Sequence, residues 1–415
     1  MALGPGLKTY TVITATDNAL HRQRRQLVGK ILTDTSVRAF EPVMIRQIDI
    51  FLSNILRYTE QRIDVDISKE ARRLGFDIAG QLAFGYDLKL QTEQTNRLML
   101  TMLTEGSFWS SVFLQYPFAR NFSFGLSLVK VFRTLMEPYL SVMQNMIDSR
   151  MAESVDAKHD LYSRIAPTLK ADSDAGNIRE SELWAEANLF FTAAGDTVKT
   201  AISAVFFYTA RNNSVYRKLV AEIRTSFATA ADINSVALGK CRYLRACIDE
   251  AIRLSPPAPG VLWREQATPG APLVVDGHVI PDGTMVGVNI YSLHHNEEYF
   301  PEPFEYRPER WLDERDPDAI RVMRDAFMPF STGPRGCAGR TMAYAETSLV
   351  IAKTVWYFDF VTSVGDVGKI GEGSPSLGPG RERRTEFQTY DVFSSMHDGP
   401  YLTFTMLGDH WKELL

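Results

Sequence analysis

Phe330-Ser331-Thr332-Gly333-Pro334-Arg335-Gly336-Cys337-Ala338-Gly339 sets one cysteine on a glycine-rich, proline-containing turn, just ahead of a helical run starting at Thr341-Met342-Ala343. A thiolate held among backbone N–H groups can serve as axial ligand to a haem iron, because those N–H groups tune the sulfur. Phe330 would shield such a sulfur from water, and Arg335 would meet a haem propionate. Gly333 and Gly339 would let the backbone turn sharply or approach a flat macrocycle. The alternative is a buried small hydrophobe, the usual fate of a lone thiol.

Other residues carry weaker signals. His21 and Arg25 lie four apart in Asp17–Val28, a basic stretch that reads as a helix capped by Asp17. They share a face, which is either simply solvated or a clamp for two carboxylates. Asp196 and Thr197 follow Ala193-Ala194-Gly195 inside a long helical pattern from Glu182 to Thr209. A mid-helix glycine costs about 1 kcal/mol against alanine and so needs a reason. Close packing of helices, with the Thr197 hydroxyl bonded back to an i−4 carbonyl, would supply one. Glu250 and Arg253 form an i,i+3 pair, commonplace on exposed helices. His294-His295 offers imidazoles, but adjacent side chains diverge and no third ligand is evident.

Positioning these residues falls to elements the periodicity outlines. Ser36–Tyr58 is helical, with Val37, Phe40, Met44, Ile48, Phe51, Leu52 and Ile55 facing a core. Phe76–Phe84 is a helix closed by Gly85; Asn213–Phe227, Tyr243–Leu254 and Thr341–Trp356 are three more. An aromatic stripe runs through Leu98–Met146 (Phe108, Trp109, Phe113, Tyr116, Phe118, Phe122, Phe124) and is expected in the core, with the ceiling of an apolar pocket as the second reading. Pro256–Gly283 reads as small hairpins and Phe300–Ala326 as an irregular meander; Phe387–Phe404 closes the chain as hairpins. Val364–Arg384 is a polar surface loop, and Gly4-Pro5-Gly6 marks a turn.

With 415 residues, 23% of them charged, and no linker or repeat, one domain over residues 1–415 is expected. A net charge of −5 argues against a nucleic-acid binder. Cys241, Cys247 and Cys337 form neither a CxxC pair nor an even framework, which points to a reducing compartment. No apolar run approaches the ~20 residues of a membrane span.

Phe330-x-x-Gly333-x-Arg335-x-Cys337-x-Gly339 resembles the haem-binding signature of cytochrome P450, with every position filled. Five such fixed positions would arise by chance about once in ten thousand chains of this size. The resemblance extends, in the family's own order, to His21-x-x-x-Arg25, the Asp196-Thr197 helix, Glu250-x-x-Arg253 and Pro308-Glu309-Arg310. It implies a mainly α fold with small β-sheets. It also implies haem b (iron protoporphyrin IX) on Cys337, with propionates on His21, Arg25, Arg264 and Arg335 and with Phe330 and Gly339 beside the ligand. Asp196 and Thr197 would relay protons, while Glu250, Arg253 and Arg310 would form a buried structural triad. Electrons would come from NADPH through NADPH–cytochrome P450 reductase, docking on a basic face that includes Arg22, Arg24 and Lys30. The substrate would be an apolar small molecule, in fungal secondary metabolism or xenobiotic oxidation. Relatives sit on the cytosolic face of the endoplasmic reticulum; no anchor is visible here, so membrane attachment stays open.

Two departures stand out. Ala194 occupies the family's usual glycine position, and the glycine is Gly195. The basic helix also begins within the first two dozen residues. The expectation is therefore a fold lacking the N-terminal anchor, first helix and part of the main sheet. Pro256–Gly283 would then be short of pairing partners and the stability lower than in a longer relative. A haem-thiolate isomerase or dehydratase that needs no reductase, and a non-catalytic or degenerate haem-binding protein, are the alternatives.

Overall fold

Apolar residues three and four apart place most of this chain in helices, seen in a computed structural model that describes residues 10–116, 136–165, 181–265, 272–313 and 315–415. The turn expected at Gly4-Pro5-Gly6 and the aromatic residues Phe118, Phe122 and Phe124 lie outside the described residues. The main helices are α1 (Asn18–Gly29), α2 (Asp34–Glu60), α3 (Ile67–Phe84), α4 (Leu98–Gln115), α5 (Glu137–Met151), α6 (Glu182–Arg211), α7 (Asn213–Ser226), α8 (Arg242–Leu254), α9 (Pro317–Ala326) and α10 (Arg340–Tyr357). Asp17 caps α1, its carboxylate accepting the Leu20 N–H at 2.7 Å. Gly85 closes α3 in the left-handed conformation, with φ 54°. All seven apolar positions expected inward on α2 are buried.

The core forms where α3 lies along α6, with α2, α8 and α10 packed around them. The contact is close because Gly195 faces α3. A Cβ at Gly195 would meet the Phe76 ring at 2.6 Å, and one at Gly75 would meet the Gly195 carbonyl oxygen at 3.0 Å. Thr197 Oγ1 donates to the Ala193 carbonyl at 2.8 Å. Among the described residues α6 alone is long and apolar enough to cross a membrane, and most of it is buried in this core.

Four small antiparallel sheets complete the mainly α fold. Strands β1 (Val65–Asp66) and β6 (Phe358–Thr362) flank β9 (Tyr401–Met406), in registers Val65↔Leu402 and Phe360↔Phe404. The other pairs are β2 (Arg264–Glu265) with β5 (Met285–Val286), β3 (Leu273–Val275) with β4 (His278–Ile280), and β7 (Tyr390–Val392) with β8 (Ser394–Met396). Asp276-Gly277, both at positive φ, make the two-residue turn between β3 and β4. That hairpin exposes Val274, Val275 and Val279, and its outer edges find no strand among the described residues.

Three expectations need correcting. The meander before Ala326 contains α9, started by Asp316, whose carboxylate caps the Ala319 N–H at 3.0 Å, and by Pro317 in the first turn. The last hairpin is only β7–β8; β9 runs down the centre of a separate sheet. The described part of the aromatic stripe lies largely outside the core, with Phe108 on α4 46% exposed and Tyr116, just past its end, 63% exposed.

Candidate active site

The cysteine loop is held from within by its own backbone. Cys337 N–H donates to the Phe330 carbonyl at 2.7 Å, and Gly336 N–H to that of Gly333 at 3.0 Å. Gly333 adopts φ 69°, the left-handed conformation its glycine permits. Gly339 does not: its φ is −84°, and an added Cβ would meet only Cys337 Sγ, at 3.8 Å. Its value is space beside the sulfur. Phe330 is half-buried, its ring 5.1 Å from that of Tyr344 on α10. Cys337 keeps solvent access at its surface. The atoms packed around it nevertheless push the thiol up, against the pull of the Gly339 N–H and the Arg25 charge.

Two arginines fasten this loop to the N-terminal part of the chain. Arg25 donates to the Gly336 carbonyl at 2.6 Å, and Arg335 reaches back to the Ala15 carbonyl at 2.6 Å. Buried His21 lies close enough that, after burial itself, Arg335 and Arg25 hold its imidazole below its ordinary value. Arg264, exposed on β2, bonds the Trp263 carbonyl at 3.0 Å and adds to the burial that lowers Arg335. Among the described residues no carboxylate pairs with Arg25, Arg264 or Arg335. A thiol, room beside it, and cations without counter-anions fit an iron porphyrin with two propionates. Arg24, expected on an outward basic face with Arg22 and Lys30, is instead buried. It pairs with Glu182 and stands 3.8 Å from Glu186, both on α6. Arg22 and Lys30 are exposed.

Glu250, Arg253 and Arg310 come together in the interior. Arg253 Nε and Arg310 Nε donate to opposite oxygens of Glu250 at 2.9 and 2.8 Å, and Trp311 Nε1 donates as well, at 2.9 Å. Burial pushes the Glu250 carboxyl up, but the two guanidinium groups outweigh it and hold it below its ordinary value. The arginines also gather carbonyls of the incoming segment: Arg253 those of His294 and Pro303 at 2.7 and 2.8 Å, Arg310 that of Pro301 at 2.9 Å. His294 continues the chain of contacts toward the cysteine loop. Its Nδ1 lies 3.1 Å from the Arg253 carbonyl and its Nε2 accepts the Met328 N–H at 2.9 Å, the pattern of a neutral ring protonated on Nδ1. Burial and Arg253 lower its pKa to about 3. Among the described residues no group of three candidate metal ligands forms.

On α6, Asp196 and Thr197 leave the helix on different sides. Thr197 is half-buried, next to exposed Ala193. Asp196 is buried against α3, its Oδ1 2.8 Å from Arg72 Nε and 3.5 Å from Lys199 Nζ. Burial alone would raise this carboxyl, but Arg72 and Lys199 hold it below its ordinary value. Residues missed in the sequence (Trp311, Arg72 and Glu186) and the bridging role of His294 share one trait: the partners are tens to hundreds of positions away.

The Cytochrome P450 family model matches residues 5–380. A cytochrome P450 monooxygenase of Gibberella zeae is 32% identical over 398 residues, covering 95% of this chain and 91% of that protein. Cytochrome P450 monooxygenase apf7 of Gibberella fujikuroi is 31% identical, covering 97% and 79%. Cytochrome P450 monooxygenase AKT7 of Alternaria alternata is 30% identical, covering 94% and 77%.

Proposed function

The chain belongs to the cytochrome P450 family, a family of haem-dependent oxidoreductases, and from that premise we propose that it inserts one oxygen atom from O2 into an apolar small molecule, drawing electrons from NADPH–cytochrome P450 reductase. Haem, bound by the Cys337 thiolate, supplies the oxygen chemistry. The convergence of Cys337 with three arginines that lack carboxylate partners among the described residues carries this reading. Arg25, Arg264, Arg335 and His21 hold the propionates; Phe330 limits water at the sulfur. Thr197 Oγ1, half-buried on α6, delivers protons, and Asp196, ionised between Arg72 and Lys199, fixes the turn of helix that carries it. Exposed Phe108 on α4 and Tyr116 just beyond its end offer an apolar wall to the substrate. The role fits secondary metabolism at the cytosolic face of the endoplasmic reticulum, with exposed Arg22 and Lys30 facing the reductase.

An optical spectrum of the reduced protein under carbon monoxide tests the assignment. The wild type should show the thiolate-specific Soret band and Cys337→Ala should lack it. A band that survives the substitution would remove Cys337 from its role. Reductase-dependent NADPH consumption, stimulated by an apolar substrate, tests the reaction class.

A further inference from the structure

Glu186 sits in the second turn of α6, 3% exposed, and no role given above uses it. Its Oε1 accepts the Val12 N–H at 2.9 Å and stands 3.8 Å from Arg24 Nε. Each segment it holds also holds the cysteine loop. Thr11–Ala15 is a tight turn, with Ala15 N–H on the Thr11 carbonyl at 2.9 Å, and its end receives Arg335 on the Ala15 carbonyl. Arg24 adjoins Arg25, which is bonded to Gly336, the residue before Cys337. Two short routes therefore lead from one buried carboxylate, one by the Val12 hydrogen bond and one by the 3.8 Å ion pair with Arg24, to Arg335 and Gly336 on the N-terminal side of the cysteine.

We propose that Glu186 is a positioning residue for the cysteine loop, its ionised carboxylate latching α6 to the loop through Val12 and through Arg24. The latch rests on the haem-thiolate reading above. The groups facing Glu186 are Arg24 from α1, the Val12 N–H and Glu182 of its own helix. Burial raises its pKa to about 7, against Arg24 and the Val12 N–H, while Glu182 raises it further. Near neutral pH the latch is thus half engaged. Above that pH Arg24 has two carboxylate partners; below it, one. His21 is held below its ordinary value and does not gain charge as this happens.

Glutamine at position 186 mimics the protonated acid, and this separates positioning from general support. A buried carboxyl whose pKa is raised destabilises the fold when it ionises, so Glu186→Gln should melt at or above the wild-type temperature as apoprotein at pH 8. The same variant should hold the cysteine loop, and so haem, less firmly. Transfer of haem from the loaded full-length protein to excess apomyoglobin reads this directly. Wild-type loss should quicken about threefold or more from pH 8 to pH 6, whereas Glu186→Gln should lose haem at the faster rate throughout. Arg24→Gln should do the same, and the double variant should add nothing further. An unchanged pH profile in Glu186→Gln, loss that merely tracks a lower apoprotein melt, or additive effects in the double variant would each overturn the latch. A wild type with no thiolate-specific band would sink the haem-thiolate reading as well; a normal band with a Glu186-independent profile sinks the latch alone.

Discussion

At the scale of single residues, Asp196 and Thr197 have different surroundings and should fail in different ways. Thr197→Ala removes a hydroxyl bonded only to its own helix, so stability should change by under about 1 kcal/mol while NADPH oxidation uncouples from product. Asp196→Asn strands Arg72 and Lys199, both largely buried, and should cost about 3 kcal/mol in denaturant titration. Equal stabilities for the two variants would contradict the ion-pair geometry. Glu250→Gln goes further in the same direction, leaving two guanidinium groups over one neutral amide, for a loss of about 3–5 kcal/mol. The motif around Cys337 was legible because loop chemistry is local: Gly333 must take positive φ and the arginine lies two residues from the thiol. The orientation of Asp196 was not, because nothing in Ala193–Thr197 announces that Arg72, 124 residues earlier, will occupy its carboxylate.

At the scale of elements, periodicity placed α2, α6, α7, α8 and α10 because a buried face must recur at 3.6 residues whatever it packs against, but it did not separate α4 and α5 out of the aromatic stretch. It failed where a boundary depends on a cap or a partner. Helix α3 begins at Ile67, nine residues before the Phe76 start that the apolar pattern predicts, because the Asp66 carboxylate accepts the Lys69 N–H at 3.2 Å. Strand β9 could not be told from a hairpin arm, since its neighbours β1 and β6 are remote in sequence. The α3–α6 contact shows which reading of Gly195 the fold enforces: close packing. Gly195→Ala puts a methyl group 2.6 Å from buried Phe76, whose ring also packs on Phe191 at 5.1 Å. Helix propensity favours alanine by about 1 kcal/mol, while forcing a methyl into a filled core costs about 1–3 kcal/mol. The clash should win, giving a lower melting temperature. A melt at or above wild type would mean that α3 and α6 separate more easily than their packing implies.

For the molecule as a whole, burial of ionisable groups sets how stability varies with pH. Composition cannot show it, because the net charge of −5 counts exposed and buried carboxylates alike. Glu346 on α10 is fully enclosed, its Oε1 accepts no hydrogen bond among the described residues, and burial raises its pKa to about 8. Glu186 is raised to about 7, and Asp77, despite N–H bonds from Leu90 and Gln91, to about 6. The folded protein thus binds these protons more tightly than the unfolded chain. The stability they contribute is complete below their ordinary carboxyl values and is lost as pH rises toward 8. His294, lowered to about 3, and His295, lowered to about 4, act in the opposite sense. Their contribution is complete above 6.5 and is lost as pH falls below it. Between pH 4.5 and 6.5 the two sets oppose each other; above 6.5 only the carboxyls remain. Unfolding free energy should therefore fall by about 2 kcal/mol between pH 6.5 and 8, most of it from Glu346. Denaturant titrations at the two pH values check the fall. Glu346→Gln, which keeps the shape and removes the proton, should flatten it; an equally steep fall in that variant would assign the alkaline loss to other groups.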